Sequence, residues 1–193
     1  FAGWMKKAGA NRAGLGLDAA DDRLADLAKN HPGFCIACID ARVIHETGGT
    51  EAQELAFAAA GYAEAIGRLI EAGIDSKQAA GQIEVLFAVD ADIHLSLSKI
   101  RAGYLVLQNI LSAYDAASSA PKIRAVTSGR MMTRQAPWTN MVRTSAAGFA
   151  AACSGGTSLT ILPATHALGR PDRLARRAAR NLHILLQEES HSG

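Results

Sequence analysis

Thr127-Ser128-Gly129-Arg130-Met131-Met132-Thr133-Arg134-Gln135-Ala136-Pro137-Trp138 joins a β-branched run, Ile123 to Thr127, to a helix that Pro137 opens. Its polar residues fall in the turn between the two. An α/β protein collects its chemistry in such turns, at the carboxyl ends of parallel strands. The same succession of apolar run, polar mouth and helical stretch occurs four times, and that repetition sets the fold class as α/β.

The four runs are Phe34–Ala41, Ile83–Val89, Ile123–Ser128 and Ser158–Ala164. They are nearly continuous in apolar residues, as strands covered on both faces should be. Between them the spacing changes to that of helices. Leu55, Ala59, Tyr62, Ile66 and Leu69 follow the three-four step of one buried helix face, with Thr50 and Gln53 at capping-box spacing before it and Gly73 after it. A second helix over about 91–114 carries Leu95, Ile100, Leu107 and Leu111. A third starts at Pro137 and fades at Gly155-Gly156, and a fourth starts at Pro171 with Leu174, Ala178, Leu182 and Leu185 on one side.

Strand, helix, strand in alternation implies parallel strands joined by right-handed crossovers. An open doubly wound sheet and part of a (β/α)8 TIM-type barrel both satisfy the pattern. A whole barrel needs about 250 residues, whereas the chain has 193 and four βα units. Half a barrel is what the length permits. The expected organisation is one partial barrel domain over 1–193, with a lead-in segment and helix at 1–33 and four βα units at 34–193.

Hydrophobic content of 49% and a mean hydropathy of +0.06 mark a globular chain whose apolar share rests on alanine and leucine. A net charge of +2 is too balanced to imply nucleic acid or an anionic membrane. There is no uncharged apolar stretch of about 18 residues, so no membrane span is expected. Cys35, Cys38 and Cys153 lack disulfide-like spacing, which fits a reduced, cytoplasmic-type compartment. Cys35-Ile36-Ala37-Cys38 has redox-motif spacing but lies in a strand interior, where buried core cysteines are the better reading. The chain opens at Phe1-Ala2-Gly3-Trp4 without an initiator Met and reads as a fragment.

In a parallel sheet the residues after each strand share one rim. The first strand is followed by Asp40, Arg42, His45 and Glu46, and the second by Asp90, Asp92 and His94. The third leads to Ser128, Arg130, Thr133 and Arg134, and the fourth to Thr165 and His166. Asp90, Asp92, His94 and His45 are the set that would hold a divalent metal, as in a barrel aldolase or hydrolase. The plainer reading makes Asp90 or Asp92 a helix cap and leaves the histidines solvated. Gly48-Gly49 before a helix could cradle phosphate; with no lysine or fuller glycine fingerprint, a tight turn is the better reading. Asp92-Ile93-His94 starts like a cobalamin-binding Asp-x-His-x-x-Gly motif, but Leu97 occupies the glycine position and the match fails. Arg173, Arg176, Arg177 and Arg180 line one face of the last helix and read as a solvated stripe.

His45-Glu46-Thr47-Gly48-Gly49-Thr50-Glu51-Ala52-Gln53-Glu54-Leu55-Ala56-Phe57 resembles the stretch after a central barrel strand of the methylmalonyl-CoA mutase family. Ala88-Val89-Asp90-Ala91-Asp92 through Ser98-Lys99-Ile100-Arg101-Ala102, Thr127 to Thr133, Pro137 to Thr144, Ala167 to Asp172 and Ala175 to His191 are similar to the same family in unbroken order. The resemblance covers 34–193. It implies a (β/α)8 barrel threaded by an acyl-CoA, with adenosylcobalamin on a separate carboxyl-terminal flavodoxin-like domain of the catalytic chain. Radical chemistry belongs to that cofactor, while protein groups hold and polarise the thioester.

The family has catalytic large subunits and small subunits without an active site. Catalytic chains carry a Tyr-His pair shortly before Glu-Ala-Gly. Counted back from Glu46, those positions are Arg42 and Val43, and Val43 can neither donate a hydrogen bond nor move a proton. His45 lies two places too late and resembles a histidine of small subunits. Arg124-Ala125-Val126 stands where catalytic chains have His-x-Gln, and Asp90-Ala91-Asp92 and Arg130 to Arg134 resemble small-subunit versions. His94 departs from both kinds. The resemblance therefore implies a non-catalytic isomerase subunit of propionate metabolism that pairs with the large catalytic subunit as a heterodimer. No catalytic, cofactor-binding or metal residue is expected, and Asp40, Arg42, His45, Asp90, Asp92, Ser128 and Arg130 remain as rim candidates.

Overall fold

The computed structural model describes residues 14–18 and 21–189. Residues 1–13 and 19–20 of the expected lead-in at 1–33, and the Ser190-His191 end of the resembling stretch, lie outside the described residues. Five strands form one sheet: β1 (Gly14–Leu17), β2 (Cys35–Asp40), β3 (Ile83–Val89), β4 (Lys122–Thr127) and β5 (Ser158–Thr160). Their order in the sheet is the order of the chain, β1-β2-β3-β4-β5. β1 with β2 and β4 with β5 are parallel pairs. A doubly wound sheet reverses its strand order at a switch point; no reversal occurs among the described strands.

The helices are α1 (Leu24–Asn30), α2 (Arg42–Glu46), α3 (Glu51–Glu71), α4 (Ser76–Gly81), α5 (Ile93–Ala113), α6 (Asn140–Cys153) and α7 (Arg173–Ile184). Expected and observed elements agree where the apolar spacing is long and regular, as in β3, α3 and α5. The 3-10 turn Pro137–Thr139 leads into α6, with Pro137 at its start. The fifth strand is a correction to the expected four. Gly14-Leu15-Gly16-Leu17 has no β-branched residue, and Gly16 takes a positive φ of 64°, so nothing local marks it. Pairing of Gly14 with Cys35 and of Leu17 with Ala37 makes it a strand. β5 is shorter than the expected 158–164 and largely exposed, unlike a strand covered on both faces.

Two compact units are distinguished. One takes the chain to Asp40, with Ala56–Val85 and Gly103–Lys122; the other comprises Ala41–Leu55, Leu86–Ala102 and Ile123–Gly193. The core of the first is built from Leu24, Ile36, Tyr62, Ile66, Leu69, Ile83, Leu107 and Leu111. Gln82, itself buried, donates from Nε2 to the Ala28 and His31 carbonyls at 2.9 and 3.0 Å, which ties the end of α1 to the start of β3. Cys35 and Cys38 are half-buried and unbridged. They are therefore less enclosed than the core cysteines expected from sequence.

The second unit collects the carboxyl ends of the strands from β3 on, the turns after β2 to β5 and the starts of α3 and α5. Its core includes Phe87, Ala88, Val89, Ile100, Val126, Ala147 and Ala150. Here the buried helix faces differ from the expected ones. α3 buries Glu54 and Ala58 rather than Leu55 and Ala59 in its first turns, and α5 buries Ser96 and Lys99 while Leu95 stays 49% exposed. Tyr62, Ile66 and Leu69 are buried as expected, and only the first turns of α3 are offset by one residue, because a buried glutamate does not register as a core residue. In α7, Ala175 is the buried residue, whereas Leu174 and Leu185, expected on its packed side, are exposed. Arg173, Arg176, Arg177 and Arg180 are exposed, as a solvated stripe should be.

Among the described residues no helix is long and apolar enough to cross a membrane.

Candidate functional site

The rim after β2 is not a loop but the short helix α2. Gly48 N–H donates to the His45 carbonyl and Gly49 N–H to the Ile44 carbonyl at 3.0 and 2.8 Å, the paired bonds of a Schellman ending. Gly48 has the positive φ, 99°, that this ending requires. Gly48-Gly49 is thus a helix stop rather than a phosphate cradle. Thr50 N–H then donates to Gln53 Oε1 at 2.9 Å, and Gln53 N–H to Thr50 Oγ1 at 3.3 Å, which completes the expected capping box of α3.

This stop and restart fixes His45 and Glu46 on the rim. His45 is buried, with Nε2 at 2.9 Å from Ser128 Oγ. Its carbonyl accepts from Arg130 Nη1 at 2.7 Å, and its Nδ1 lies 3.4 Å from Arg130 Nη2. A guanidinium can only donate, so Nδ1 is the acceptor and the ring proton sits on Nε2, directed at Ser128 Oγ. Burial lowers the His45 pKa below the usual imidazole value, and the Lys99 and Arg130 charges lower it further. Both effects favour the neutral ring. Glu46 accepts the Gly129 and Arg130 backbone N–H groups, one on each carboxylate oxygen, both at 2.8 Å.

Beneath His45 lies a charge pair that sequence reading missed. Glu54 Oε2 accepts from Lys99 Nζ at 2.6 Å and Oε1 from the Ala88 N–H at 2.7 Å, with both side chains buried. Glu54 Oε2 is 3.8 Å from His45 Nδ1. Burial raises the Glu54 pKa, and the Lys99 ammonium opposes that rise. The spacing of the two residues on α3 and α5 carries no signal of their meeting, because each alone looks like a surface residue.

The expected metal set is divided by the structure. Asp92 caps α5, accepting the Leu95 N–H at 3.0 Å, and His94 is exposed. Asp90 accepts the Asp92 N–H and Ser96 Oγ–H, at 3.0 and 3.3 Å. His45 and Asp90 instead meet Glu51, with one ligand atom from each within 4.8 Å of the others. A cation there would compete with Ser128 for Nε2 or with the Arg130 guanidinium for Nδ1, beside a buried ammonium. The geometry does not favour it.

Asp40 ends β2 and is exposed, and Arg42 begins α2 half-buried. Val43, also on α2, is 51% exposed. Thr133 is held through its backbone: its N–H donates to Asn140 Oδ1 at 3.0 Å, and Asn140 Nδ2 donates to the Thr133 and Ala164 carbonyls at 2.9 and 2.8 Å. Asn140 is a buried organiser of this turn, and no spacing or motif in the sequence singles it out. Arg134 and His166 are exposed.

A parallel α/β sheet with one polar rim defines a broad class of proteins. The profile described as methylmalonyl-CoA mutase matches residues 16–192. The chain is 39% identical over 173 residues to the methylmalonyl-CoA mutase small subunit of Streptomyces virginiae, covering 87% of this chain and 28% of that one. It is 34% identical over 180 residues to the small subunit of Propionibacterium freudenreichii subsp. shermanii, covering 92% and 28%. It is 31% identical over 172 residues to the methylmalonyl-CoA mutase of Escherichia coli strain K12, covering 88% and 24%. The chain belongs to the methylmalonyl-CoA mutase family, and it spans about a quarter of the length of these relatives.

Proposed function

We propose that this chain is the later part of the barrel of a non-catalytic small subunit, the structural partner of a large catalytic mutase subunit. The complex would interconvert methylmalonyl-CoA and succinyl-CoA with adenosylcobalamin, which supplies the radical chemistry from the catalytic chain. The five described strands would be consecutive members of a (β/α)8 barrel, which their unreversed order supports. The proposed location is cytoplasmic.

One observation carries the reading. Val43 occupies the position where the resemblance places a catalytic imidazole, and the nearby His45 is already committed on both ring nitrogens. A general acid must reach the group it protonates; His45 reaches Ser128 and Arg130. The names of the S. virginiae and P. freudenreichii relatives add support for a small-subunit role. The rim cluster of His45, Glu46, Ser128 and Arg130 then serves rigidity rather than turnover.

Purified full-length protein is tested with methylmalonyl-CoA and adenosylcobalamin, alone and mixed with a large subunit. Turnover only in the mixture, with co-elution of the two chains, is the expected result. Turnover by this protein alone sinks the reading.

A further inference from the structure

Glu46 does more than cap a turn. Its two carboxylate oxygens are spread across consecutive backbone N–H groups, Gly129 and Arg130, at 2.8 Å each. Two successive amides converging on one anion form a nest, an arrangement that binds carboxylates and phosphates. Gly129 keeps the approach open, since a Cβ there would stand 3.3 Å from Glu46 Oε2. The nest lies just beyond β4, and Ser128 fixes its entrance by donating its N–H to the Val89 carbonyl at 2.7 Å and engaging His45 through its hydroxyl.

The strap is long in sequence and short in space. β3 stands between β2 and β4 in the sheet order, so residues 45–46 reach past the end of β3 to residues 128–130. Arg130 returns the contact by donating to the His45 carbonyl. Each side therefore holds the other, and the anion in the nest is part of the chain itself.

We propose that the Gly129–Arg130 amide pair is an oxyanion-binding site held closed by Glu46 as a built-in ligand, and that vacating Glu46 opens it to small carboxylates and inorganic phosphate. The tethered carboxylate competes as an intramolecular ligand, so a free anion must overcome its effective concentration. In the intact protein the site stays silent at millimolar anion. This inference goes beyond the subunit role and does not depend on it, because it is read by binding rather than turnover.

The test is saturation-transfer NMR on the acetate methyl group with full-length protein, followed by displacement with inorganic phosphate. Glu46→Ala is expected to give a saturable signal at least tenfold tighter than any from the wild type, and phosphate should remove it. Glu46→Gln, of the same size, provides the check if the alanine variant does not fold. It offers one oxygen to two donors and turns its own amide N–H donors toward the other, so acetate should bind it more tightly than the wild type. Equal acetate binding by wild type and a folded variant, or none by either, overturns the proposal.

Discussion

The Lys99 ammonium donates to the Glu54 carboxylate at 2.6 Å, with both side chains buried under the rim. Removing one partner leaves the other charge without compensation in a dry site, which costs about 3–5 kcal/mol. Lys99→Met is therefore expected to lose that much in chemical denaturation. The double variant Glu54→Leu/Lys99→Met should recover most of the loss. A double variant as unstable as the sum of the singles would contradict the pairing.

Acid should act through His45. Its folded pKa lies below the ordinary value, because of burial first and then the Lys99 and Arg130 charges. Above pH ~6.5 the ring is neutral in both folded and unfolded chains, and the His45 contribution is fully present. Below it the unfolded chain takes up a proton that the folded one refuses, so stability falls as pH drops toward the depressed value, by up to about 1.4 kcal/mol per pH unit. Denaturation midpoints at several values between pH 7.5 and 5 should show this slope in the wild type. His45→Asn should flatten it, and an unchanged slope would rule His45 out.

Gly49→Ala should damage the rim without touching any of its polar groups. A Cβ at that position would lie 2.7 Å from the Ile44 carbonyl oxygen and closer still to Ile44 Cγ2. The Schellman ending that positions His45 and Glu46 would have to open, at a cost of roughly 1–3 kcal/mol. A drop in thermal midpoint together with a crystallographic shift of Glu46 away from Gly129 is the expected pair of results.

Gln82→Leu removes the donor to the Ala28 and His31 carbonyls. The Ala28 carbonyl keeps the 3.5 Å contact from Gln78 Nε2 and the His31 carbonyl keeps the Phe34 N–H, so the expected loss is about 1 kcal/mol. Amide exchange should speed up in α1 before other segments.

Val43→His is predicted not to create a mutase. The new ring would sit on an exposed turn of α2, and Arg124-Ala125-Val126 still lacks the histidine and glutamine that the family resemblance implies for catalytic chains. Product formation from methylmalonyl-CoA by the variant alone should stay at background.

Much of this architecture was legible from sequence because strands and helices bury apolar side chains at fixed intervals. β3 and β4 stand out as β-branched runs, and the spacing of Thr50 and Gln53 alone marks the start of α3. Family membership was legible too, from ordered segments spread over most of the chain. β1 was not, because its glycines carry no local strand preference and only β2 gives it a partner.

The rim divides in the same way. Sequence alone placed His45, Asp90, Ser128 and Arg130 at strand ends, since a parallel sheet must bring those ends together. It could not pair Glu46 with the Gly129 and Arg130 amides, nor Glu54 with Lys99, because both meetings join residues far apart in the chain. Local periodicity reports which face is apolar; only the assembled second unit decides which charged groups are buried together, and which donors the chain satisfies with its own carboxylates.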